Sequence, residues 1–378
     1  MHSTSLPFQP ATGWACAADP HPLDGPDTLV MLFGPPARLT DAEVLTPLRR
    51  HLPHSTWIAA ATPAIVDGRQ VRDDGLSATV VRFDRTRVRR FQADIGPDQD
   101  EIRAARHLAG ALTDSPGLSA VLILVDALQA DGPALVEALV AALPADLPIA
   151  GGLGGDGTAV ARTGRDGLAQ GSVCVVGLYG EHVRMARACR GGSIGFGPRR
   201  LVTRADGQTV LDIDAQPALT LYREYLGRYA DGLPEAASHF PLTVFRQAEH
   251  HHGVIRYVLD IDPTRQSIRV AGDIPTGSQV QLSRAGRSEL LDGAEQAARQ
   301  VAPRLPADRP VLSLVVSCVG RRHVLGEQTE DELEPLDAQL PDGSMQVGFY
   351  SFGEISSTDG QRCEMHNMTF TAAALWED

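Results

Sequence analysis

The chain has 378 residues and a formal net charge of −13, and 43% of its residues are hydrophobic while 21% are charged. This length and composition suffice for two soluble domains with complete cores. The acidic balance argues against broad surfaces for nucleic acids or anionic membranes, because phosphate binding depends on clustered Lys and Arg. The expected partner is therefore a small molecule or another protein.

Cysteine usage and the N-terminal segment favour a reducing compartment. Cys16, Cys174, Cys189, Cys318 and Cys363 are odd in number, widely spaced and form no C-x-x-C pair, so we expect neither a disulfide framework nor structural zinc. The N-terminal segment lacks both the basic start and the apolar run of an export signal. No later stretch approaches the ~18 apolar residues of a membrane span. We therefore expect a soluble, cytoplasmic protein.

The first half of the chain predicts a mixture of strands and helices. Short apolar runs rich in β-branched residues predict strands, and 3.6-residue periodicity predicts helices. In chain order we predict a strand at 28–34, a helix at 40–52, strands within 55–68, 76–83 and 86–96, a helix at 98–114, a strand at 119–128, a helix at 132–143, and a hairpin over 171–192 around Gly180.

The second half shows a similar order of elements. After an aromatic helix at 218–230, the sequence predicts a β meander over 240–286, a helix at 288–302, a strand at 311–318, an acidic helix at 327–340, and strands within 345–355 and 365–377. A strand–helix–strand order after β-rich segments therefore occurs in both halves, which indicates a weak internal duplication.

These elements define the predicted fold class and its parts. We expect an α/β protein with α+β character, in which two related mixed halves with largely antiparallel or mixed sheets pack together. The predicted boundaries are an N-terminal extension at 1–27, a first domain at 28–215 and a second domain at 216–378.

The segment GGLGGDG contains Gly152, Gly154 and Gly157 at the spacing of a dinucleotide fingerprint. That fingerprint requires a following helix, whose N-terminus holds the pyrophosphate. The residues after it are rich in glycine and lack helical periodicity, so we reject the nucleotide interpretation. We predict instead a glycine loop that packs closely against another segment, with Asp156 at its tip as a candidate ligand contact.

The segment EHHHG offers Glu249 and three histidines, of which His250 and His252 would share one face of a strand. Such a pair could bind a metal only with a third fixed ligand. Since the segment precedes a strand and resembles a hairpin turn, we favour a solvated polar turn and predict no metal site.

The stretch SCVGRRH follows an apolar strand that delivers Cys318 to its carboxyl end, where open α/β sheets place ligands. Arg321 and His323 follow. A thiol beside a guanidinium and an imidazole would have a lowered pKa and could be a nucleophile. The alternative is a small buried hydrophobe followed by solvated charges, and for a single cysteine we favour it.

The final candidate is the stretch from residue 348 to 370. Tyr350 and Glu354 lie in its first part, and His366 and Asn367 lie in its second. If the two parts pair as a hairpin, the carboxylate, imidazole and amide approach one another beside aromatic walls. This cluster could hold a polar ligand or be a satisfied network in the core, and the residues alone leave both interpretations open.

These motifs together resemble the FIST family of sensory domains, named for F-box and intracellular signal transduction proteins. The C-terminal part is similar in HFPLTV, GVIRYVLDID, IRVAGDIPTGSQVQL, SCVGRRHVLG, GFYSFGEI and MHNMTFTAAAL, and the N-terminal part in GGLGGDG, VVGLYGEHVRM and GPRRLVTRADGQTVLDID. The resemblance extends from about Thr28 to Trp376 and implies a FIST N-like domain followed by a FIST C-like domain.

The sequence departs from the family pattern at two places. The segment 58–68 stands where relatives often carry a G-C-S-T-x-G-E-I-like strand, and it lacks both the Cys and the Glu. Phe352 replaces a tyrosine of the G-F-Y-x-Y-G-E-I signature, which removes a hydroxyl and keeps the ring.

The resemblance implies a cytoplasmic sensor for a small ligand, with an amino acid or a similar small polar molecule as the expected ligand. Because the two FIST-like parts occupy the whole sequence, we expect signalling in trans through a protein partner such as a histidine kinase. In this hypothesis Glu354 and Asn367 hold an ammonium or amide, Arg321 pairs with a carboxylate, and Tyr350 forms a wall.

Two alternatives remain open. Some stand-alone FIST proteins bind haem, sense nitric oxide and regulate a histidine kinase, and here His182 or His366 would be the haem ligand. The other alternative is a thiol hydrolase or transferase that uses Cys318 with His323 or His366, although the sequence has no recognised nucleophile elbow. The sequence gives no prediction of the oligomeric state.

Overall fold

The computed structural model describes residues 1–15, 20–95, 100–126, 131–155, 171–246, 253–358 and 362–378. Its α-helices are α1 (Pro36–Leu39), α2 (Ala42–His51), α3 (Glu101–Thr113), α4 (Gly132–Ala141), α5 (Ala218–Leu226), α6 (Arg287–Val301), α7 (Val319–Leu325) and α8 (Glu334–Asp337).

The strands of the first part are β1 (His2–Gln9), β2 (Gly13–Trp14), β3 (Thr28–Gly34), β4 (Thr56–Ala61), β5 (Ile65–Asp67), β6 (Gln70–Arg72), β7 (Leu76–Arg82), β8 (Arg87–Asp94), β9 (Leu118–Asp126), β10 (Ile149–Gly154), β11 (Ser172–Tyr179) and β12 (Val183–Arg190). The strands that follow in the chain are β13 (Ile194–Asp206), β14 (Thr209–Ile213), β15 (Gln216–Pro217), β16 (Leu242–Phe245), β17 (Val254–Arg256), β18 (Val258–Asp262), β19 (Ser267–Val270), β20 (Gln279–Arg284), β21 (Leu312–Cys318), β22 (Met345–Ser351), β23 (Glu354–Ser356), β24 (Glu364–His366) and β25 (Phe370–Glu377), of which β13 and β14 still belong to the first part.

One strand–helix–strand pattern occurs three times. The pairs β3–β4, β9–β10 and β21–β22 are parallel, and helices connect the two strands of each pair. The first strand of each pair is flanked on its other side by an antiparallel strand, namely β7, β11 or β25. The structure confirms the predicted α/β class with mixed sheets, and the predicted duplication proves to be a threefold repetition of one unit.

Strands from the two parts of the sequence share sheets. One sheet has the order β2-β1-β7-β3-β4, a second β24-β23-β10-β9-β11-β8, and a third β12-β25-β21-β22-β5-β6. The chain leaves β4 to add β5 and β6 beside β22, and it leaves β22 to add β23 and β24 beside β10. The two parts are therefore interleaved, and the N-terminal extension supplies β1 to the first sheet.

The glycine-rich segment GGLG belongs to β10, a buried strand where the sequence predicted a loop. A Cβ atom added to Gly151 would lie 1.8 Å from the Ile123 carbonyl oxygen, and one added to Gly152 would lie 2.7 Å from a Val316 methyl group. These glycines therefore allow neighbouring segments to pack at backbone distance, as predicted. Asp156 and Gly157 lie outside the described residues, as do Glu249, His250 and His252 of the EHHHG segment.

The remaining strands form an eight-stranded sheet in the order β17-β16-β20-β13-β14-β19-β18, with β15 beside β14. Its edge strands β17 and β18 are consecutive in the chain and are linked by Tyr257 alone. Because one residue joins the two edges, the sheet must curl back on itself. We call it the curled sheet; its strands pack against α5 in a separate hydrophobic core.

Two helix and hairpin predictions were wrong in detail. β11 and β12 belong to different sheets and do not form the hairpin predicted around Gly180. The acidic segment 327–340 is mostly a 3₁₀ turn followed by the four-residue α8.

Among the described residues no helix combines the length and apolar character needed to cross a bilayer, and no group of three His, Cys, Asp or Glu side chains could hold a metal.

Candidate functional site

A cleft opens where the carboxyl end of β21 faces the curled sheet. Its volume is about 270 Å³, and its wall is formed by Tyr257, Leu259, Ala271, Cys318, Val319, Gly320, His323, Phe352 and Asn367. A wider depression of about 530 Å³ shares Val319, His323 and Phe352 with it. The cleft thus lies at the carboxyl end of parallel strands, which is the usual ligand position in open α/β sheets.

Asn367 is the distinctive polar residue of this cleft. It lies in the turn between β24 and β25 with only 1% of its surface exposed, and its Nδ2 donates to the Phe352 carbonyl at 3.2 Å. Its Oδ1 is buried and has no hydrogen-bond partner among the described residues. The next residue, Met368, has a left-handed φ of 58°, a conformation that is uncommon outside glycine and concentrates at functional sites.

Gly320 and Tyr257 bring the two sides of the cleft together. A Cβ atom on Gly320 would lie 2.5 Å from the Met368 sulfur and 2.9 Å from the Tyr257 ring. Glycine therefore lets the Tyr257 ring pack directly on the first turn of α7. The sequence prediction missed Tyr257 as a site residue, although it stands between two strands of the predicted meander.

Glu354 lies behind the cleft and does not line it. The structure confirms the predicted pairing of Glu354 with His366 across a hairpin. The fully buried carboxylate, however, accepts hydrogen bonds from the Ser351 hydroxyl at 2.6 Å and from the Thr369 hydroxyl at 2.8 Å. Desolvation raises the pKa of Glu354 to about 7. Since the Thr369 carbonyl in turn accepts from the Cys318 amide at 3.3 Å, Glu354 supports the cleft wall.

His366 makes hydrogen-bond contacts that differ from those of Asn367. Its Nε2 lies 3.2 Å from the Ser356 carbonyl oxygen, and burial followed by the charge of Arg256 lowers the pKa of the imidazole to about 4. The imidazole is therefore neutral near pH 7. The predicted cluster of carboxylate, imidazole and amide is thus three separately bonded groups, of which only Asn367 reaches the cleft.

Arg321 and Tyr350 do not occupy the positions that the sequence predicted for them. Both are fully buried, and both bind Glu332, with Arg321 Nε at 2.8 Å and the Tyr350 hydroxyl at 2.7 Å from its carboxylate. Ser317 donates to the same carboxylate at 2.7 Å. Arg321 also donates to the carbonyl oxygens of Gly191 and Leu290. These side chains form a closed internal network. Arg321 is therefore not positioned to bind a ligand carboxylate, and Tyr350 does not form a wall of the cleft.

Cys318 lines the cleft, but its environment is the reverse of the predicted one. Burial raises the pKa of the thiol, and the charge of Glu354 raises it further. Arg321, which was expected to lower the pKa, is held by Glu332. His323 lines the same cleft and is exposed. Cys318 is therefore a small apolar part of the wall and is not an activated nucleophile.

The two haem candidates lie far apart. His182 is in the turn before β12, where its carbonyl oxygen accepts from the Asp378 amide. His366 lies near the other end of the β12–β25 pair, where Arg190 meets Phe370. Neither histidine lines the cleft, so the cleft does not fit a haem held by either one.

Comparison with family models identifies two adjacent regions. Residues 28–216 match the FIST N domain and residues 218–357 match the FIST C domain. The cleft residues Tyr257, Cys318 and Phe352 lie within the second match, whereas Asn367 lies beyond its end. A comparison with curated proteins found no match.

Proposed function

Because the chain belongs to the FIST family, whose domains are associated with sensory binding of small ligands in signal transduction, we propose that it is a sensory protein with its ligand in the cleft beside Asn367. The ligand is a small polar molecule that carries an N–H donor, such as an amino acid or an amide. Its site is cytoplasmic, and its signal passes in trans to a protein partner such as a histidine kinase.

The observation that carries this proposal is Asn367 Oδ1, which is buried and has no hydrogen-bond partner in the part of the chain that the structure describes. Buried polar atoms almost always have a hydrogen-bond partner, so an orphan acceptor at a cleft wall needs an explanation. A ligand ammonium or amide would supply the missing donor at about 2.9 Å. The rings of Tyr257 and Phe352 provide the apolar walls that such a pocket needs around one well-placed polar group.

The position of the cleft supports a signalling role. A ligand there would contact β21 and α7 on one side and Tyr257 of the curled sheet on the other. Leu259 borders the cleft and is 43% exposed, so closure around a ligand would change an apolar surface that a partner can read. Binding energy that differs between the open and closed forms would shift their populations.

A thermal-shift screen against the amino acids and small amides tests the proposal. Any compound that binds only the native state raises the melting temperature, by an amount that corresponds to about 2.7 kcal/mol at a concentration of 100 Kd. The screen is repeated with Asn367→Leu and with Gln346→Leu. Gln346 is the matched control, because its Oε1 is also buried and has no hydrogen-bond partner among the described residues, but it lies outside the cleft.

We expect a stabilising compound for the wild type, no response for Asn367→Leu and an undiminished response for Gln346→Leu. A flat response of the wild type to every compound contradicts the proposal. An equal response of Asn367→Leu contradicts the placement of the ligand beside Asn367.

The alternative hypothesis of a thiol hydrolase or transferase has no comparable support. FIST domains are associated with ligand sensing and not with catalysis, and the raised pKa of Cys318 keeps its thiol protonated at neutral pH. Since the thiolate is the reactive form of cysteine, no step through Cys318 belongs to the proposed function.

A further inference from the structure

A second cavity lies beside the same two chain segments that border the cleft. Its volume is about 280 Å³, and Arg256 and Met365 line it, whereas Tyr257 and Asn367 line the cleft. Arg246, Arg362, Glu137 and Glu364 provide its other charged groups, and the apolar side chains come largely from α4. The two spaces are therefore adjacent but have different linings.

Arg256 is the feature that the fold does not explain. Only 2% of this residue is exposed, and its Nη1 donates to the Met365 carbonyl oxygen at 3.0 Å. Among the described residues Nε has no hydrogen-bond partner, and the carboxylates of Asp273, Glu364 and Asp131 act on the guanidinium through their charge without a hydrogen bond to it. A buried charge without a counter-ion is costly, so proteins normally pair it.

The neighbouring Arg246 shows the usual solution. It pairs with Glu137 at 3.0 Å and with Asp273 at 3.3 Å, and it is partly exposed. The lining carboxylate of Glu137 is thus already engaged, and Glu364 is exposed. Burial lowers the pKa of Arg256 to about 10, so this guanidinium keeps its charge near pH 7.

We propose that this cavity binds a small organic carboxylate, with the carboxylate on Arg256 and a short apolar tail along α4. A guanidinium is the side chain best suited to bind a carboxylate through paired N–H donors. Pro133, Val136 and Val140 offer the apolar surface for the tail. Glu137 and Glu364 at the cavity favour a monoanion over a phosphate dianion, because like charges repel. This proposal does not depend on the ligand of the cleft.

The test titrates the full chain with butyrate at pH 7 by isothermal titration calorimetry, with sodium chloride replaced to keep the ionic strength constant. Inorganic phosphate and n-butylamine are titrated in the same way. The variants are Arg256→Met, which keeps a linear apolar side chain, and Ala141→Trp, which blocks the cavity mouth from the end of α4. Arg246→Gln is the control, because Arg246 already has its own carboxylates.

We expect saturable binding of butyrate to the wild type and to Arg246→Gln, and binding weakened about tenfold or more in Arg256→Met and Ala141→Trp. If Arg256→Met does not fold, butyrate binding to Ala141→Trp tests the proposal instead. The proposal is overturned if butyrate does not saturate the wild type, if both site variants bind it undiminished, or if phosphate or butylamine binds more tightly than butyrate.

Discussion

Among the residues that the structure describes, Arg321 and Arg256 are both almost completely buried, and their surroundings differ. Arg321 binds Glu332 at 2.8 Å and donates to the carbonyl oxygens of Gly191 and Leu290. Arg256 donates to one carbonyl and leaves Nε without a partner among the described residues. Burial therefore does not distinguish a structural charge from a binding charge in this fold. The number of guanidinium N–H donors that have a hydrogen-bond acceptor distinguishes the two kinds of charge.

The same distinction separates the two polar groups at the end of the chain. Glu354 is bonded on both carboxylate oxygens and supports the wall behind the cleft. Asn367 is bonded through Nδ2 and leaves Oδ1 free of partners among the described residues. We infer a role in ligand binding for the group that lacks a hydrogen-bond partner and a role in stabilising the fold for the group that has them. The following experiments test this inference.

The same substitution at both arginines should give opposite results. Arg321→Met leaves Glu332 as a buried, unpaired charge and is expected to lower the free energy of unfolding by about 3–5 kcal/mol. Arg256→Met removes a buried charge that is hydrogen-bonded to no carboxylate among the described residues, and it should leave stability unchanged or raise it by about 1 kcal/mol or more. Urea unfolding of both variants measures the difference. Equal losses would contradict the contrast between the two residues.

The second prediction concerns Glu354. Its pKa is about 7 in the folded protein against an ordinary value of 4.5, so its protonated form stabilises the fold below pH 4.5 and this contribution is lost as the pH rises to about 7. Relative to wild type, Glu354→Gln should therefore gain roughly 3 kcal/mol of stability across that window. Denaturation at a series of pH values measures this, and a difference that does not change with pH would refute it.

His366 should show the opposite trend. Its folded pKa of about 4 lies below the ordinary 6.5, so its contribution is present above pH 6.5 and is lost as the pH falls to about 4. Relative to wild type, His366→Gln should lose roughly 3 kcal/mol as the pH rises through that window. In the wild type the two contributions largely cancel. The same pH series checks this, and parallel curves for His366→Gln and wild type would show that the imidazole is not desolvated.

The third contrast is between the two amides. Asn367→Leu should cost only about 1 kcal/mol, because it loses one hydrogen bond to the Phe352 carbonyl. Gln346→Leu should cost more, since Gln346 donates to both Gly68 and Leu333. Thermal unfolding without ligand measures both. A larger loss for Asn367→Leu would indicate that Asn367 serves the fold.

The smallest effect is expected at Cys318. Its raised pKa and its burial should make alkylation by iodoacetamide slower than that of a free thiol at pH 7. Mass spectrometry of tryptic peptides over time measures the rate. Alkylation faster than a free thiol would restore the nucleophile hypothesis.

Much of the local structure could be predicted from the sequence. The apolar runs ending at Gly34 and Cys318 are strands, and the pairing of Glu354 with His366 follows from turn residues and strand patterns. The sheet to which each strand belongs could not be predicted. After β4 and after β22 the chain crosses to another sheet. The hydrophobic periodicity of the sequence does not indicate these crossings.

The site was predicted only in part, for a physical reason. Cys318 and Asn367, which the sequence singled out near strand ends, both line the cleft, and their contact with a ligand stays a prediction. The predicted role of Arg321 was wrong because its partner, Glu332, is fully buried although it lies in an acidic and largely exposed segment. Partners distant in sequence decide which polar groups are satisfied, so the sequence identifies candidates while the fold chooses among them.

The most direct test of the cleft is a crystal structure of the protein with the most stabilising compound of the thermal-shift screen. We predict electron density for that compound against the Tyr257 and Phe352 rings, with a nitrogen donor at about 2.7–3.2 Å from Asn367 Oδ1. A compound bound elsewhere, or a cleft in which Oδ1 still lacks a ligand donor, would contradict the account.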